Sequence, residues 1–238
     1  MSARLLVLDI ETKPAMGYHW GLFDQNISID QMIAPSAPIC VGAKFIGEKE
    51  MYFFSDWGDG HEGMVKGIHA LIEEADAVVT YNGDRFDLPK LMGEFLLTGL
   101  LPPAPPTSID LLKAVKKLGF QSNKLAYIGP FLKIGEKVKN EGFGLWIKVM
   151  EGDKAAQKRM QTYCEGDVRL TERLYTVMRP YIKNHPFIGT EGKNGACAVC
   201  ESVKMQKRGF RRTKSFLIQR LQCQDCGSWL DGTRKKVT

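Results

Sequence analysis

Asp9 and Glu11 stand two residues apart at the end of the apolar run Arg4-Leu5-Leu6-Val7-Leu8-Asp9-Ile10-Glu11. On a strand, residues i and i+2 project from one face, so the two carboxylates lie side by side. Like charges in a partly buried site repel, and one is pushed toward protonation. A divalent cation removes that penalty; a hard ion such as Mg²⁺ takes carboxylate oxygens and keeps several waters. Asp-x-Glu is also a common strand ending, so the pair alone leaves a structural role open. A second acidic element, Tyr81-Asn82-Gly83-Asp84-Arg85-Phe86-Asp87-Leu88-Pro89, joins a strand to a helix. Its Asp84 and Asp87 are candidate ligands, but a carboxylate there can equally serve as a helix cap. The third, Tyr163-Cys164-Glu165-Gly166-Asp167, lies in a long helical pattern. Tyr163 and Asp167 are i and i+4 and share a face with Met160, Leu170 and Leu174. An unpaired Asp on an apolar stripe costs several kcal/mol. It therefore either serves a cation or sits at the stripe's edge beside Arg169 or Arg173.

A different chemistry is written near the C-terminus. Cys197-Ala-Val-Cys200 and Cys223-Gln-Asp-Cys226 are two Cys-x-x-Cys pairs with 22 residues between them. Each such knuckle presents two thiolates to one ion, and two knuckles complete a tetrahedron around Zn²⁺. Gly227 after the second knuckle permits its turn. A module of about fifty residues has little core, so a structural zinc supplies its stability. A redox dithiol or an iron–sulfur cluster uses the same ligands, but a redox pair does not explain two matched pairs. Cys40 and Cys164 have no such partner and read as buried, unreactive thiols. His19, His61, His69 and His185 lack ligand spacing and are assigned no role, and no Gly-x-Ser-x-Gly is present.

The 238 residues carry a net charge of +6, unevenly. Thr190–Thr238 holds 11 Lys and Arg against 4 Asp and Glu, while the preceding 189 residues hold 22 against 23. Four thiolates on Zn²⁺ reduce the C-terminal balance from +7 to about +5, still basic. Lys204, Lys207, Arg208, Arg211, Arg212, Lys214 and Arg220 lie between the knuckles against one acid, Glu201, with Phe210 and Phe216, and Trp229 follows. Charge that tracks phosphates beside rings that stack on bases suits single-stranded nucleic acid. The alternative is that the aromatics form the module's own core, and most of them are expected to do so. A protein partner for the module also stays open. No apolar run reaches the ~20 residues of a membrane span, and the N-terminus lacks a signal-peptide h-region. The expectation is a cytoplasmic protein with no membrane partner.

Positioning these groups requires a definite set of elements. Arg4–Glu11, Ile39–Phe45 and Met51–Phe54 read as strands in a meander, after a loop-rich stretch reaching about Pro38. A helix over His61–Ala75, a strand over Ala77–Tyr81 and a helix over Leu88–Leu97 follow. Leu101–Pro106 is a stiff connector; Ser108 is placed as the cap of a helix through Leu111, Leu112 and Val115. Lys124–Phe131 offers a short helix, and Asp153–Met178 is one long helix or two. Alternation of strand and helix predicts an α/β domain with a mixed sheet. The Gly- and Pro-bearing stretch Lys183–Gly195 reads as a linker.

The three acidic elements, in this order, resemble the DEDDy 3′→5′ exonucleases of the ribonuclease H-like fold, and most closely the exonuclease domains of family B DNA polymerases. Asp9-Ile10-Glu11-Thr12 resembles the first motif. Asn82-Gly83-Asp84-Arg85-Phe86-Asp87-Leu88-Pro89 resembles the second, with Asp87 rather than Asp84 as the matching carboxylate. Tyr163-Cys164-Glu165-Gly166-Asp167-Val168 resembles the third in its tyrosine variant, and Ile109-Asp110-Leu111-Leu112 an inter-motif segment. The resemblance covers Leu5 to Tyr175. It implies a ribonuclease H-like mixed sheet flanked by helices over residues 1–185, with a small zinc-ribbon module over 193–238. It also implies that Asp9, Glu11, Asp87 and Asp167 hold two Mg²⁺ or Mn²⁺ ions about 3.5–4 Å apart. One ion would activate the attacking water, which Tyr163 orients, and the other would stabilise the leaving 3′ oxygen. The product would be a 5′-mononucleotide. Asn82 and Phe86 match positions that touch the terminal nucleotides, although Phe86 is read first as a core anchor. Likeness to proofreading domains favours 3′ ends of single-stranded DNA and a replication or polymerase partner, by analogy in a phage or bacterium. No polymerase domain fits in this chain, so the expectation is a free-standing exonuclease or exonuclease subunit. A non-catalytic nucleic-acid-binding accessory protein and a structure-specific endonuclease are the alternatives.

Overall fold

The computed structural model describes residues 3–182, 185–188 and 195–237. The first apolar run forms β1 (Leu5–Lys13), whose first four residues are buried as befits a strand covered on both faces. The loop-rich stretch holds only a short ribbon, β2 (Met16–Gly17) against β3 (Met32–Ala34), and leaves Trp20, Leu22 and Phe23 exposed. β4 (Ala37–Phe45) pairs antiparallel with β1, and β5 (Tyr52–Ser55) with β4, giving the expected meander. After α1 (Gly60–Glu73), β6 (Ala77–Thr80) adds parallel to β1. After α2 (Asp87–Leu97), β7 (Thr107–Asp110) adds parallel to β6. The five-stranded mixed sheet has the order β5-β4-β1-β6-β7.

Ser108 does not cap the next helix. Pairing with Val78 draws it into β7, and Asp110 at the strand's end caps α3 (Leu111–Val115), accepting from the Leu112 N–H at 3.0 Å. The chain continues through α4 (Leu125–Phe131), the unanticipated α5 (Phe143–Met150) and α6 (Lys154–Met178). The last is a single helix, capped by Asp153, which accepts from the Ala156 N–H at 2.9 Å.

Strand alternation divides the core. Leu6, Leu8 and Ile10 pack with α1 and α2, whereas Leu5 and Val7 pack with α3, α4 and α6. Asp9 and Glu11 continue the second set, so both point toward α6. Gly42 on β4 lets that helix close in: a Cβ there would lie 3.0 Å from Cys164 Sγ and 3.1 Å from Val168. Cys40 and Cys164 are buried in the adjoining cluster, as expected of structural thiols.

Residues 195–237 hold a separate antiparallel sheet, β10-β9-β8, of β8 (Met205–Arg212), β9 (Phe216–Cys223) and β10 (Trp229–Lys236). The linker stretch Lys183–Gly195, and with it the expected boundary at 193, lies largely outside the described residues. Ile188 donates its N–H to Ala198 O at 3.0 Å and accepts from Ala3 at 3.3 Å. Among the described residues no helix is long and apolar enough to cross a membrane.

Candidate active site

β1 pairs with β6 only from Leu5 to Val7, then runs on beside β4 alone. A crevice opens there at the carboxyl ends of two parallel strands, where open α/β sheets place their ligands. Asp9 and Glu11 lie just past the divergence, and a register shift between Glu11 and Thr12 bends the strand at this point. From α6, Asp167 reaches the same place. Asp9, Glu11 and Asp167 each bring a carboxylate oxygen within 4.8 Å of the others.

Asp87 is adjacent but differently held. It begins α2, on the opposite side of the sheet, and accepts from the Ile10 N–H at 3.1 Å. It is therefore outside the tight trio, although its charge still acts on Asp9. Asp84 is not a competitor: it is engaged with Ser108 and Lys113. Asp167 pairs neither with Arg169, which bonds Glu165, nor with Arg173, which bonds Ile134 O. It is only 2% exposed and meets Lys137 Nζ at 2.7 Å.

The electrostatics are those of a site short of positive charge. Burial, then the charges of Asp87, Glu11 and Asp167, push Asp9 well above the carboxylate range. Burial and Asp167 raise Glu11 to about 8. Burial raises Asp87 to about 6 against the Ile10 N–H bond that favours its charged form. Burial likewise raises Asp167, opposed by Lys137. Asp167 Oδ1 is buried with no hydrogen-bond partner. A buried orphan acceptor beside two further carboxylates is what a hard divalent cation fits.

Tyr163 stands one helical turn before Asp167 and is nearly buried. Trp146 of α5 meets it edge-on at 6.1 Å between ring centroids, and Lys137 Nζ lies 4.8 Å from its ring centre. Burial raises the Tyr163 phenol, with Lys137 opposing. The phenol is thus a hydrogen-bonding group rather than an ionised base. An open cleft lined by Thr12, Pro14, Phe143, Trp146 and Tyr163 leads away from the carboxylates.

Asn82 takes a left-handed backbone (φ 73°) at the turn into α2, its N–H bonded to Asp110 Oδ1 at 2.9 Å. Phe86 is not a core anchor. It is 39% exposed at the start of α2, with Lys90 Nζ 5.4 Å from its ring centre. The core beneath is already filled by Leu91 and Phe95. His61, assigned no role, bridges Asp56 and Glu94 at 2.9 Å each and so ties α1 to α2.

Lys137 is what the sequence does not disclose. Within Lys133–Lys139 it reads as one of several solvated loop charges. Gly166 gives its loop room: a Cβ there would come 2.5 Å from the Val138 side chain, so glycine lets the loop lie close against α6. Its ammonium supplies part of the charge a cation would bring. Lys137→Met should therefore lower the melting temperature of the metal-free protein. It should also enlarge the stabilisation given by saturating Mg²⁺, because the ion no longer competes with an ammonium. Thermal melts with and without Mg²⁺ check this, and an equal Mg²⁺ shift in both proteins contradicts it.

The second cluster also assembles. Cys197, Cys200, Cys223 and Cys226 bring their sulfurs within 4.8 Å of one another, with Cys197–Cys226 and Cys200–Cys223 at 3.6 Å. Tetrahedral Zn–S bonds of about 2.3 Å put sulfurs about 3.8 Å apart. Burial works against ionising Cys223, yet the Cys226 and Asp225 N–H groups hold its thiol down to about 7. The four sulfurs fit Zn²⁺. Phe210, Phe216 and Trp229 do not form this module's core, being 57%, 40% and 49% exposed. Cys197, Val199, Cys223, Met205 and Leu230 do, around the sulfurs.

A search of curated proteins gives no match. Among solved structures, a family B DNA polymerase from the hyperthermophilic archaeon Pyrobaculum calidifontis superposes with a TM-score of 0.55 at 16% identity. The match covers 75% of this chain and 25% of the polymerase. RNase D of Trypanosoma brucei gives 0.47 at 17% identity, covering 74% of this chain and 57% of that one. This chain thus spans a quarter of the one and just over half of the other. The RNase_H_2 model, described as RNase_H superfamily, matches residues 38–179, which include α2, β7 and the Tyr163–Asp167 turn of α6. A mixed five-stranded sheet with acidic residues gathered at its central crevice and a family model matching most of the chain lead to one conclusion: this chain belongs to the RNase_H superfamily.

Proposed function

We propose that this protein is a metal-dependent 3′→5′ exonuclease acting on single-stranded DNA and releasing 5′-mononucleotides. The observation that carries the reading is the convergence of Asp9, Glu11 and Asp167 within 4.8 Å, with Asp167 Oδ1 buried and unpartnered. Membership of a superfamily of nuclease folds supports hydrolysis of nucleic acid in general.

In this reading Asp9, Glu11 and Asp167, with Asp87 behind them, hold two Mg²⁺ or Mn²⁺ ions. When bound, these ions supply a nucleophilic water at neutral pH and offset charge on the leaving oxygen. The chain's own groups do the rest. Tyr163 hydrogen-bonds and orients the attacking water, and Trp146 fixes the tyrosine ring edge-on. The cleft past Pro14, Phe143 and Trp146 receives the unpaired end, and Asn82 and Phe86 contact the terminal nucleotides. The four-cysteine cluster holds one structural Zn²⁺, and the basic module, through residues such as Arg208 and Arg211, retains the strand. A replication or polymerase protein is the partner that this reading anticipates.

A blocked 3′ terminus tests the direction. The protein should release 5′-mononucleotides from an oligonucleotide with a free 3′ hydroxyl. It should stall, by about a hundredfold or more, on the same strand ending in a 3′ block. Internal cleavage of the blocked strand would instead assign a structure-specific endonuclease.

A further inference from the structure

The three-stranded sheet of the cysteine module has two chemically distinct faces, and its register decides which side chains share each. Directly opposed residues project to the same side. Cys223 opposes Met205, and Leu221 opposes both Lys207 and Leu230. That side carries the small core and turns toward the four sulfurs. On the other side, Gln222 opposes Trp229 and Gln206, Arg220 opposes Asp231, Ile218, only 4% exposed, opposes Arg211 and Arg234, and Phe216 opposes Lys236. Arg208 joins this side by donating from Nε to Gln222 Oε1 at 3.1 Å.

The outer face therefore gathers Arg208, Arg211, Arg220, Arg234 and Lys236, all exposed, against one acid, Asp231, which pairs with Arg211 at 2.6 Å. These residues are far apart in sequence, and only three-strand pairing assembles them. Lys207 and Arg212 project to the sulfur side, because they oppose Leu221 and Leu217. Two rings stand at the ends of the outer face. Phe216 and Trp229 are separated by the Phe216–Gln222 length of β9, six residues, on the order of 20 Å. The Arg220 guanidinium lies 4.5 Å from the centre of the Trp229 ring and is held over it.

We propose that this outer face is a binding platform for single-stranded nucleic acid. The backbone runs along β9 between the arginines of β8 and β10, and bases stack on Phe216 and on the Arg220–Trp229 pair. Exposed rings flanked by guanidinium groups engage unpaired bases, which a duplex does not offer. A sheet face of near-uniform positive charge holds phosphates by counterion release. This deepens the nuclease reading, resting on it only for the kind of polymer bound. It moves the contact surface from a run of sequence to a face: Arg234 and Lys236 enter, and Lys207 and Arg212 leave.

Two triple variants of the zinc-loaded full chain remove the same charge from opposite faces. One is Arg220→Ala with Arg234→Ala and Lys236→Ala; the other is Lys207→Ala with Arg212→Ala and Lys235→Ala. Binding of a fluorescein-labelled single-stranded oligonucleotide is followed by anisotropy across a salt series in Mg²⁺-free buffer, and zinc content reports folding. The outer-face triple should bind at least about tenfold more weakly and lose about two units of salt slope, at ~0.7 per phosphate contact. The sulfur-face triple should stay within about threefold of wild type. The oligonucleotide should also quench wild-type tryptophan fluorescence, and the quench should shrink in Trp229→Phe, which keeps all charges. Equal weakening by the two triples would overturn the platform, as would an unchanged quench in Trp229→Phe. Duplex bound as tightly as single strand, or full displacement of the oligonucleotide by an acidic peptide, would overturn it too. Cleavage retained with the platform disproved leaves the nuclease reading standing. Binding intact with no cleavage in Mg²⁺ contradicts the nuclease reading instead.

Discussion

Asp9→Asn is expected to lower hydrolysis by about a thousandfold or more and, in the same protein, to raise the metal-free melting temperature by a few degrees. The two effects have one cause. Asp9 is half-buried beside Asp87, Glu11 and Asp167, and all of these raise its proton affinity. The folded chain holds that repulsion so that cations can enter, and an amide relieves it while removing a ligand. The pH dependence has a definite sign. Glu11 is raised from 4.5 to about 8 and Asp87 from 3.8 to about 6. The folded state thus binds protons that the unfolded state has released. Stability from these groups is complete below pH about 4 and is lost as pH rises through 6 to 8. Metal-free wild type should therefore melt at a lower temperature at pH 8 than at pH 5.5. Mg²⁺ should recover more at the higher pH, and Asp9→Asn should flatten both trends. Melts at two pH values with and without Mg²⁺ decide it. A metal-free protein that is more stable at pH 8 contradicts the repulsive cluster.

Removing zinc from the cysteine module should abolish its structure while sparing the large sheet. Among the described residues, the module buries only Cys197, Val199, Ile218 and Cys223 as apolar side chains, and two of these four are ligands. Structural zinc in modules of this size contributes on the order of 10–16 kcal/mol, far more than such a core can. Cys200→Ser should carry less than about a tenth of the wild-type zinc and lose amide protection in β8, β9 and β10. The main thermal transition should shift by no more than about 2 °C, because the five-stranded sheet has its own core. Metal analysis with hydrogen exchange reads both. Retained protection without metal would mean that the module folds on packing alone.

What was legible in the sequence follows local rules. Residues Asp9 and Glu11 share a face by strand parity, and Tyr163 and Asp167 share one by helical period; both hold. The buried Asp167 was visible as a carboxylate on an apolar stripe. What escaped depends on tertiary contact. Ser108 carries a good cap chemistry, but pairing with β6 overrides it. Phe86 is exposed because Leu91 and Phe95 already fill the volume under α2. Lys137 enters the site on a loop that packs against Gly166, distant in sequence, through the Val138 side chain. The ribbon's aromatics turn outward because the sulfurs and Val199 occupy its interior. Its cationic face depends on two register shifts, one in each outer strand pair, which no linear reading reveals.

A time course on 5′-labelled single-stranded DNA, with wild type and Asp9→Asn side by side in Mg²⁺, tests the central claim most directly. A ladder that shortens one nucleotide at a time from the 3′ end, present in wild type and absent in Asp9→Asn, is the expected result. Degradation by the Asp9→Asn protein at the wild-type rate, or none by zinc-loaded wild type on DNA or on RNA, would contradict a nuclease site built on these carboxylates.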